Sequence, residues 1–327
     1  MKAIAALGGV RLALDRKLLR DLARLWSQAL TIALVVASGL GGFITSLSAV
    51  DSLALARERF YAQGRFADVF ATVKRAPNAL AQRLYEVPGV ADLQVTNEHV
   101  VRIQIEGLSD PILGRLIGLD PEQPPRMNRV VVRSGRSLEG SRSQPAARTD
   151  ARIEALVSAG FVQARGLKPG AELDALINGR RRTLVIAGIA LSPEYIFAGL
   201  GGVPDQRSFG VFWIDHETLA DAYDMKGAFN QVAIKLAPGA SVRDVTDRLS
   251  RLLAPYGAGE AHGSEDRPSH AMLDAEIKEQ EVLGSLLPTI FLAVAAFRGC
   301  TPNCSTSRSS STASRRGCWW SPSASRS

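Results

Sequence analysis

The sequence predicts an α+β membrane protein with one transmembrane helix, a large extracytoplasmic α+β domain and the start of a second transmembrane helix. Three observations support this class. Trp26–Val50 is a run of 25 residues without a charge. Val282–Phe297 is a shorter uncharged run near the other end. The long segment between them mixes stretches that alternate with period two, as strands do, with stretches of helical period.

The first run is long enough to cross a bilayer as a helix. Spanning the hydrocarbon layer takes about 20 apolar residues, and a long soluble helix would normally keep one polar face. A basic N-terminal flank and a balanced C-terminal flank favour a cytoplasmic N-terminus and an extracytoplasmic domain. The flanking cations are Lys2, Arg11, Arg16, Lys17, Arg20 and Arg24. The rival interpretation is a signal peptide, with Ser46–Ser48 as its cleavage site.

Small residues recur every four positions on one face of this helix, at Ser38, Gly42 and Ser46. In lipid, such residues let a second helix approach closely, because tight packing replaces the hydrophobic driving force. We therefore predict a helix-packing face, which the Leu283–Phe297 helix or a second copy of this helix would occupy. The alternative is that small residues are merely tolerated in a membrane helix.

Residues 1–25 are predicted to form an amphipathic helix on the cytoplasmic membrane surface, because apolar side chains recur at helical spacing among the cations. These apolar residues are Leu7, Val10, Leu14, Leu18, Leu22 and Leu25. A plain cytosolic extension of the transmembrane helix is the alternative. Both interpretations place the segment in the cytoplasm.

Residues 51–268 are predicted to form the extracytoplasmic domain, with two similar strand–helix–strand units. The units are Phe66–Val95 and Asn230–His262, and in both an Ala-Pro pair follows the first strand. Two such units suggest a split βαβ, ferredoxin-like arrangement. A strand at Val101–Glu106 is expected after the first unit, and residues 108–213 would be an inserted subdomain. Its predicted strands lie near Arg129–Arg133, Glu172–Ile177 and Arg181–Ile189.

A stalk helix at residues 269–283 is predicted to lead into a partial second transmembrane helix at residues 284–297. The uncharged stretch Val282–Phe297 has 16 residues, fewer than the about 20 that a full span requires. Pro288 is tolerable where this helix would enter the membrane.

The composition changes abruptly after Phe297. Residues 298–327 hold ten serines, five arginines and all three cysteines, with no acidic residue and no Leu, Ile, Val, Met or Phe. Because a membrane helix cannot end within the bilayer and continue as such a segment, our hypothesis is a reading frame shifted after Phe297. A disordered basic tail is the alternative. This tail supplies five of the seven net positive charges, so the basic composition does not indicate nucleic-acid binding.

No catalytic, cofactor-binding or metal-binding residue is predicted. The four histidines are scattered, and the phosphate-binding and nucleophile motifs that carry chemistry are missing from the sequence. Cys300, Cys304 and Cys318 lack the spacing of zinc ligands. The histidines are His99, His216, His262 and His270.

Isolated polar and aromatic residues in the domain are expected to be structural. The carboxylates Asp68, Glu194 and Asp205 are expected to be solvated or salt-bridged rather than catalytic. An aromatic group is expected to lie mainly in the core of the insertion, with a partner-contact surface as the alternative. This group comprises Tyr195, Phe197, Phe209, Phe212 and Trp213.

A series of motifs resembles a known family. The motifs are RDLARLWSQALTIALVVASGLGGF, SLALARERFYAQGRFADVFATVKRAP, LYEVPGV, GLKPGAEL, NGRRRTLVIAGIALSPEYIF, PDQRSFGVFWI, DMKGAFNQVAIKL and SHAMLDAEIKEQEVLGSLLPTIFLAVAAF. Over residues 11–297 their order and spacing resemble bacterial ABC-transporter permeases of the FtsX/MacB-like class, with a MacB-like periplasmic core domain.

The resemblance implies a subunit of the cell inner membrane, or plasma membrane, without enzymatic activity. Its implied partners are an ABC ATPase subunit that binds ATP, a second permease copy or paralogue, membrane lipid and a periplasmic adaptor. Mechanotransmission would carry ATP-driven movement to the outer domain, for export or for lipid, lipoprotein or peptide handling. Family members continue with further membrane helices and an ATPase-docking loop in place of residues 298–327, so transport by this form is expected to be impaired.

Two other functions remain open from the residues alone. A membrane-anchored periplasmic adaptor or sensor would bind a partner without transport, and Leu283–Phe297 would then be a surface or partner-binding helix. An anchored extracytoplasmic hydrolase would need a nucleophile and base that the sequence does not reveal.

Overall fold

The computed structural model describes residues 26–105, 107, 112–138, 152–196, 199, 203, 205–259 and 261–300. The described residues divide into two compact units. One unit holds residues up to Thr45 together with those from Gly284 onward, and the other is Ser46–Leu283. The predictions for residues 1–25 and for the tail beyond Cys300 lie outside the described residues.

Helix α1 spans Trp26–Gly64 and continues for 14 residues beyond the predicted end at Val50. The segment after Val50 is rich in Ala, Leu and Arg, which favour helix, and contains no glycine before Gly64. The helix ends where Arg65 takes a left-handed φ of 47°. Among the described residues, one helix is long and apolar enough to cross a membrane, over Ala33–Gly64.

Helix α6 spans Pro268–Cys300 without interruption, with Pro288 inside it. The predicted stalk and partial membrane helix are therefore one element. At about 1.5 Å per residue, its 33 residues extend for about 50 Å. Its last three residues belong to the segment that the composition had separated as the tail.

A four-stranded antiparallel sheet contains both predicted strand–helix–strand units. Its strand order is β11-β1-β10-β2, the order of a split βαβ arrangement. Helices α2 and α5 cover one face through a core that includes Leu84, Ile234 and Leu249. The elements are β1 Val69–Pro77, α2 Ala79–Tyr85, β2 Val90–Thr96, β10 Ala228–Leu236, α5 Val242–Leu253 and β11 His262–Gly263.

The insertion between β2 and β10 forms a second, seven-stranded sheet, in the order β5-β8-β6-β9-β4-β3-β7. Strand β7 also pairs with β8, so six of the strands close into a ring that we call the barrel. These six are β3, β4, β6, β7, β8 and β9, and β5 pairs with β8 outside the ring. The elements are β3 Glu98–Gln104, β4 Ile112–Leu119, β5 Val131–Gly135, β6 Arg152–Ser158, α3 Ala159–Arg165, β7 Glu172–Ile177, β8 Arg180–Leu191, β9 Phe209–Asp215 and α4 His216–Ala222.

The 12-residue strand β8 makes this closure possible. Its first half pairs with β7, its second half pairs with β5, and β6 runs along its other edge. The barrel interior is filled by side chains that alternate along the strands. They include Val101, Ile103, Ile112, Leu116, Ala155, Val157, Leu173, Ala175, Ile177, Leu184, Ile186, Phe212 and Ile214.

The insertion starts earlier than predicted. The strand expected at Val101–Glu106 is β3, which pairs with β4 and β7 inside the barrel rather than with the four-stranded sheet. The insertion therefore begins at Glu98, and β9 with α4 extends it past Trp213. Strands β5, β7 and β8 lie within two residues of the positions predicted for them.

Candidate functional site

A group of buried polar side chains lies where α1 ends and α6 begins, against the barrel. All of its members fall in the Ser46–Leu283 unit. We call this group the ionic junction. It consists of Glu98, Arg115, Asn128, Glu194, Tyr195 and Arg267.

Glu194 and Arg267 form the first half of the ionic junction. Glu194 belongs to a short 3-10 helix after β8, and Ser192 caps that helix by accepting the Glu194 N–H. Arg267 immediately precedes α6 and makes an ion pair with Glu194. The two side chains are only 9 % and 14 % exposed. Burial disfavours the charged form of each side chain, and the attraction between the two opposite charges offsets part of that cost.

Glu98, Arg115 and Tyr195 form the second half. The Tyr195 hydroxyl donates to Glu98 Oε1 at 2.7 Å, and Arg115 Nη1 donates to Glu98 Oε2 at 3.2 Å. The Arg115 guanidinium also lies 5.7 Å from the Tyr195 ring centre. Because Tyr195 follows Glu194 directly, the two halves adjoin, and two carboxylates balance two guanidinium groups.

The end of α1 joins the ionic junction through Asn128. This residue has a left-handed φ of 49°. Its Oδ1 accepts the Ala67 N–H at 3.1 Å, and its Nδ2 donates to Glu194 Oε2 at 2.8 Å. Gly64, the last residue of α1, lies so near Pro193 that an added Cβ would be 2.7 Å from the proline ring.

The two helices also contact each other just outside the ionic junction. Arg57 on α1 makes an ion pair with Asp274 on α6. His270 Nδ1 lies 3.2 Å from the Tyr61 hydroxyl, and its Nε2 lies 3.6 Å from Asp274. Tyr61 in turn stacks on Phe66, with ring centres 4.6 Å apart. Both helices therefore meet the domain at one place.

Burial sets the electrostatics of the ionic junction. It raises the pKa of the Glu194 carboxyl, while the adjacent Arg267 guanidinium opposes that rise. The buried Nε atoms of Arg115 and Arg267 have no hydrogen-bond partner within the described part of the chain. Among the described residues, each guanidinium therefore makes its hydrogen bonds through its terminal nitrogens, to a carboxylate, and it also lies over an aromatic ring.

A cleft of about 340 Å³ opens beside the ionic junction, between β2 and the barrel. Its acidic lining residues are already engaged. Glu98 and Glu194 are ion-paired, and Asp120 Oδ1 accepts the N–H groups of Glu122 and Gln123. The cleft therefore offers space but no unengaged carboxylate from these three residues.

The predicted helix-packing residues lie elsewhere, in the first half of α1, which is predicted to cross the membrane. The Ser38 hydroxyl donates to the Val35 carbonyl at 2.9 Å, and Ser38 is exposed. At Gly42 nothing among the described residues lies within 4 Å of where a Cβ would stand. The packing face, with Ser46 as its third member, stays a prediction.

The other residues that the sequence analysis considered make structural contacts. Asp68 binds Lys235 at 2.7 Å, and Asp205 accepts two main-chain N–H groups. His99 stacks on Tyr223 with ring centres 3.6 Å apart, and burial lowers the pKa of His99. In the described ranges, no cluster of three or more His, Cys, Asp or Glu residues could hold a metal ion.

The described members of the aromatic group lie mainly in the core of the insertion, as predicted. Phe209, Phe212 and Trp213 are buried, and Tyr195 is half-buried in the ionic junction. Phe197 lies outside the described residues. Sequence reasoning missed the junction itself, because its members are far apart in the chain and each one alone resembles a surface residue.

Comparison with known proteins gave matches only among solved structures. No protein-family model and no curated protein matches the chain. The extracellular domain of an ABC-type transporter, YknZ, from Gram-positive bacteria is 12% identical, with 60% of this chain and 98% of that chain covered and a TM-score of 0.36. The periplasmic region of MacB from Actinobacillus actinomycetemcomitans is 10% identical, with 66% and 94% covered and a TM-score of 0.36. Likeness at this level assigns neither a fold nor a function to the chain.

Proposed function

We propose that the chain is the membrane subunit of an ABC transporter of the FtsX/MacB-like class. In this proposal it passes movement from a partner ATPase to its extracytoplasmic domain and has no enzymatic activity of its own. One observation carries the proposal: the end of α1 and the start of α6 meet at the same ionic junction against the barrel. Movement of either helix would therefore act on the domain directly.

The chemistry of the junction supports movement rather than catalysis. Its two carboxylates and two guanidinium groups are paired with one another. Catalytic acids and bases need access to a reacting group, whereas these side chains are held by their own partners. The order of the permease-like motifs along residues 11–297 supports the same proposal.

The proposal includes a topology. The N-terminus lies in the cytoplasm, α1 crosses the inner membrane, the sheet domain lies outside, and α6 returns to the membrane. The partners would be an ABC ATPase, which binds the ATP, and a second permease copy. A periplasmic adaptor and membrane lipid are further partner classes.

Thiol labelling can test this topology, because Cys300, Cys304 and Cys318 are the only cysteines of the sequence. In right-side-out spheroplasts we expect a membrane-impermeant maleimide to leave them unlabelled until the membrane is permeabilised. The matched control replaces all three by serine and carries Arg180→Cys, at an exposed residue of the barrel. This control should be labelled from outside. Labelling of the native cysteines in intact spheroplasts would favour the anchored adaptor instead.

A second experiment tests the partner class. The chain would be co-expressed with a candidate ABC ATPase subunit, extracted in mild detergent and purified through a tag on the ATPase. Stoichiometric co-purification that depends on this chain supports a transporter subunit. No association in the presence of ATP or a non-hydrolysable analogue would count against the role in transport.

A further inference from the structure

The two helices are attached to the barrel in chemically different ways. The end of α1 is held largely by main-chain hydrogen bonds. The Asn128 N–H donates to the Arg65 carbonyl at 3.2 Å, and the Arg129 N–H donates to the Gly64 carbonyl at 2.9 Å. Such bonds do not depend on the charge of a side chain. These two main-chain bonds are therefore insensitive to protonation, and the Asn128 amide, which donates to Glu194 Oε2, can still donate to the carbonyl oxygen of a protonated carboxyl.

The start of α6 is attached to the barrel by charge. Among the hydrogen bonds and ion pairs of the described residues, the Arg267–Glu194 pair joins the start of α6 to the barrel. The Arg267 guanidinium also lies 4.0 Å from the ring centre of Phe70 in β1, which belongs to the four-stranded sheet. Loss of the Glu194 charge would leave a buried cation without its counter-charge, which is unfavourable.

We propose that Glu194 and Arg267 form a latch that fixes the start of α6 to the barrel. When the latch is open, the start of α6 moves relative to the barrel about its remaining contacts with α1, which stays attached. The proposal deepens the proposed function, since it identifies where transmitted movement would be controlled. It concerns the chain itself and requires no ATPase for its test.

Protonation of Glu194 is the chemical event that opens the latch. The carboxylate takes a proton from solvent, becomes neutral and ceases to balance Arg267. Burial favours this neutral form by raising the pKa of the carboxyl. The charged and titratable groups that face Glu194 are Arg267, Arg115, Glu98 and Tyr195. Arg267 and Arg115 oppose protonation, and the Glu98 charge favours it.

Two spin-labelled distances measure the latch in the full chain reconstituted in lipid nanodiscs. Cys300, Cys304 and Cys318 are first replaced by serine. One pair of labels joins α6 to the barrel, through Glu279→Cys and Arg102→Cys, and a second pair joins α1 to the barrel, through Arg59→Cys and Arg102→Cys. All three labelled positions are exposed. Double electron–electron resonance then reports both distance distributions.

Glu194→Gln tests the latch with little change in side-chain size, because the amide keeps the shape of the carboxylate. We expect a second population in the α6–barrel distance and no change in the α1–barrel distance. The matched control is Glu172→Gln, which removes the exposed Arg152–Glu172 ion pair at 2.8 Å within the barrel. That control should leave both distributions unchanged.

Acidification of the protein with Glu194 intact is an independent test. Lower pH should produce the same second population in its α6–barrel distance, and it should have no further effect on the distances in Glu194→Gln. Identical distributions in all variants at all pH values would overturn the proposal. Broadening of both distance distributions together would overturn it as well. The Glu194–Arg267 ion pair would then stabilise the whole domain rather than hold α6 alone.

Discussion

Gly64 is required where α1 ends because Pro193 lies against it. An added Cβ would stand 2.7 Å from Pro193 Cγ, closer than side-chain carbons approach each other. We expect Gly64→Ala to lower the free energy of unfolding by about 1–3 kcal/mol, the usual cost of overpacking. Denaturant unfolding followed by tryptophan fluorescence measures this change. Gly41→Ala is the control, since nothing among the described residues lies within 4 Å of a Cβ there.

Asn128 is required as an amide, because it accepts from Ala67 and donates to Glu194. Asn128→Asp keeps the acceptor but replaces the donor by a carboxylate oxygen facing Glu194. We expect a loss of about 1–3 kcal/mol in the free energy of unfolding. Asn178→Asp is the control, since Asn178 is exposed and also has a left-handed φ. Equal effects of the two substitutions would contradict the role given to Asn128.

The residues of the ionic junction show what the sequence could not reveal. Asp68 and Asp205 were expected to be salt-bridged or solvated. Asp68 pairs with Lys235, 167 positions away, and Asp205 accepts the nearby Arg207 and Ser208 N–H groups. Glu194 is also salt-bridged, to Arg267, and it is buried among groups that include Asn128, 66 positions away, and Glu98, 96 positions away in the chain. Residue type and local spacing do not indicate such distant contacts, so the site is recognisable only in the folded structure.

Among the secondary-structure elements, strand β8 can pair with β5 because residue 188 is a glycine. A Cβ there would lie 2.5 Å from the Arg136 carbonyl oxygen and 2.9 Å from that of Ser134. We expect Gly188→Ala to displace β5 while the pairing of β7 with the first half of β8 persists. Hydrogen exchange should then speed up in Val131–Gly135 but not in Glu172–Ile177. Equal acceleration in both strands would mean that the barrel opens as a whole.

The small-residue face of α1 predicts a second helix beside it in lipid. Gly42→Leu places a large side chain on that face and should reduce association of α1 with its helical partner. Disulfide or chemical cross-linking of the full chain in membranes measures the association. Gly41→Leu makes the same change about 100° around the helix and should have a smaller effect. If both substitutions act equally, bulk rather than a specific face is responsible.

The secondary-structure elements could be predicted from local sequence patterns to different degrees. Both strand–helix–strand units could be predicted, because each carries its own alternation, Ala-Pro pair and amphipathic helix. The transmembrane span was predicted to end at Val50, before the charge at Asp51, and the helix itself continues to Gly64 because the residues in between favour helix. The closure of the barrel was not predictable, because it depends on β8 pairing with β5, β6 and β7 along different parts of its length.

For the molecule as a whole, the Glu194 carboxyl links stability to pH. Its pKa is raised by burial, so its contribution to stability is present at low pH and decreases as pH rises through the pKa of the folded state. Glu194→Gln lacks this titration. The stability of the variant relative to the unmodified protein should therefore increase as pH rises above about 4.3, the ordinary value for Glu. Denaturant unfolding at a series of pH values measures it, and a decrease would show that Arg267 dominates instead.

The ends of the insertion meet where the chain leaves and re-enters the four-stranded sheet. Asn97 Nδ2 donates to the Ala228 carbonyl at 3.2 Å, and Thr96 pairs with Gln231 one step further along. Joining Asn97 directly to Ala228 would turn β2 and β10 into a hairpin with a loop of about four residues, a common length. The insertion therefore leaves and re-enters the four-stranded sheet at neighbouring positions, so a chain without residues 98–227 would still connect β2 to β10.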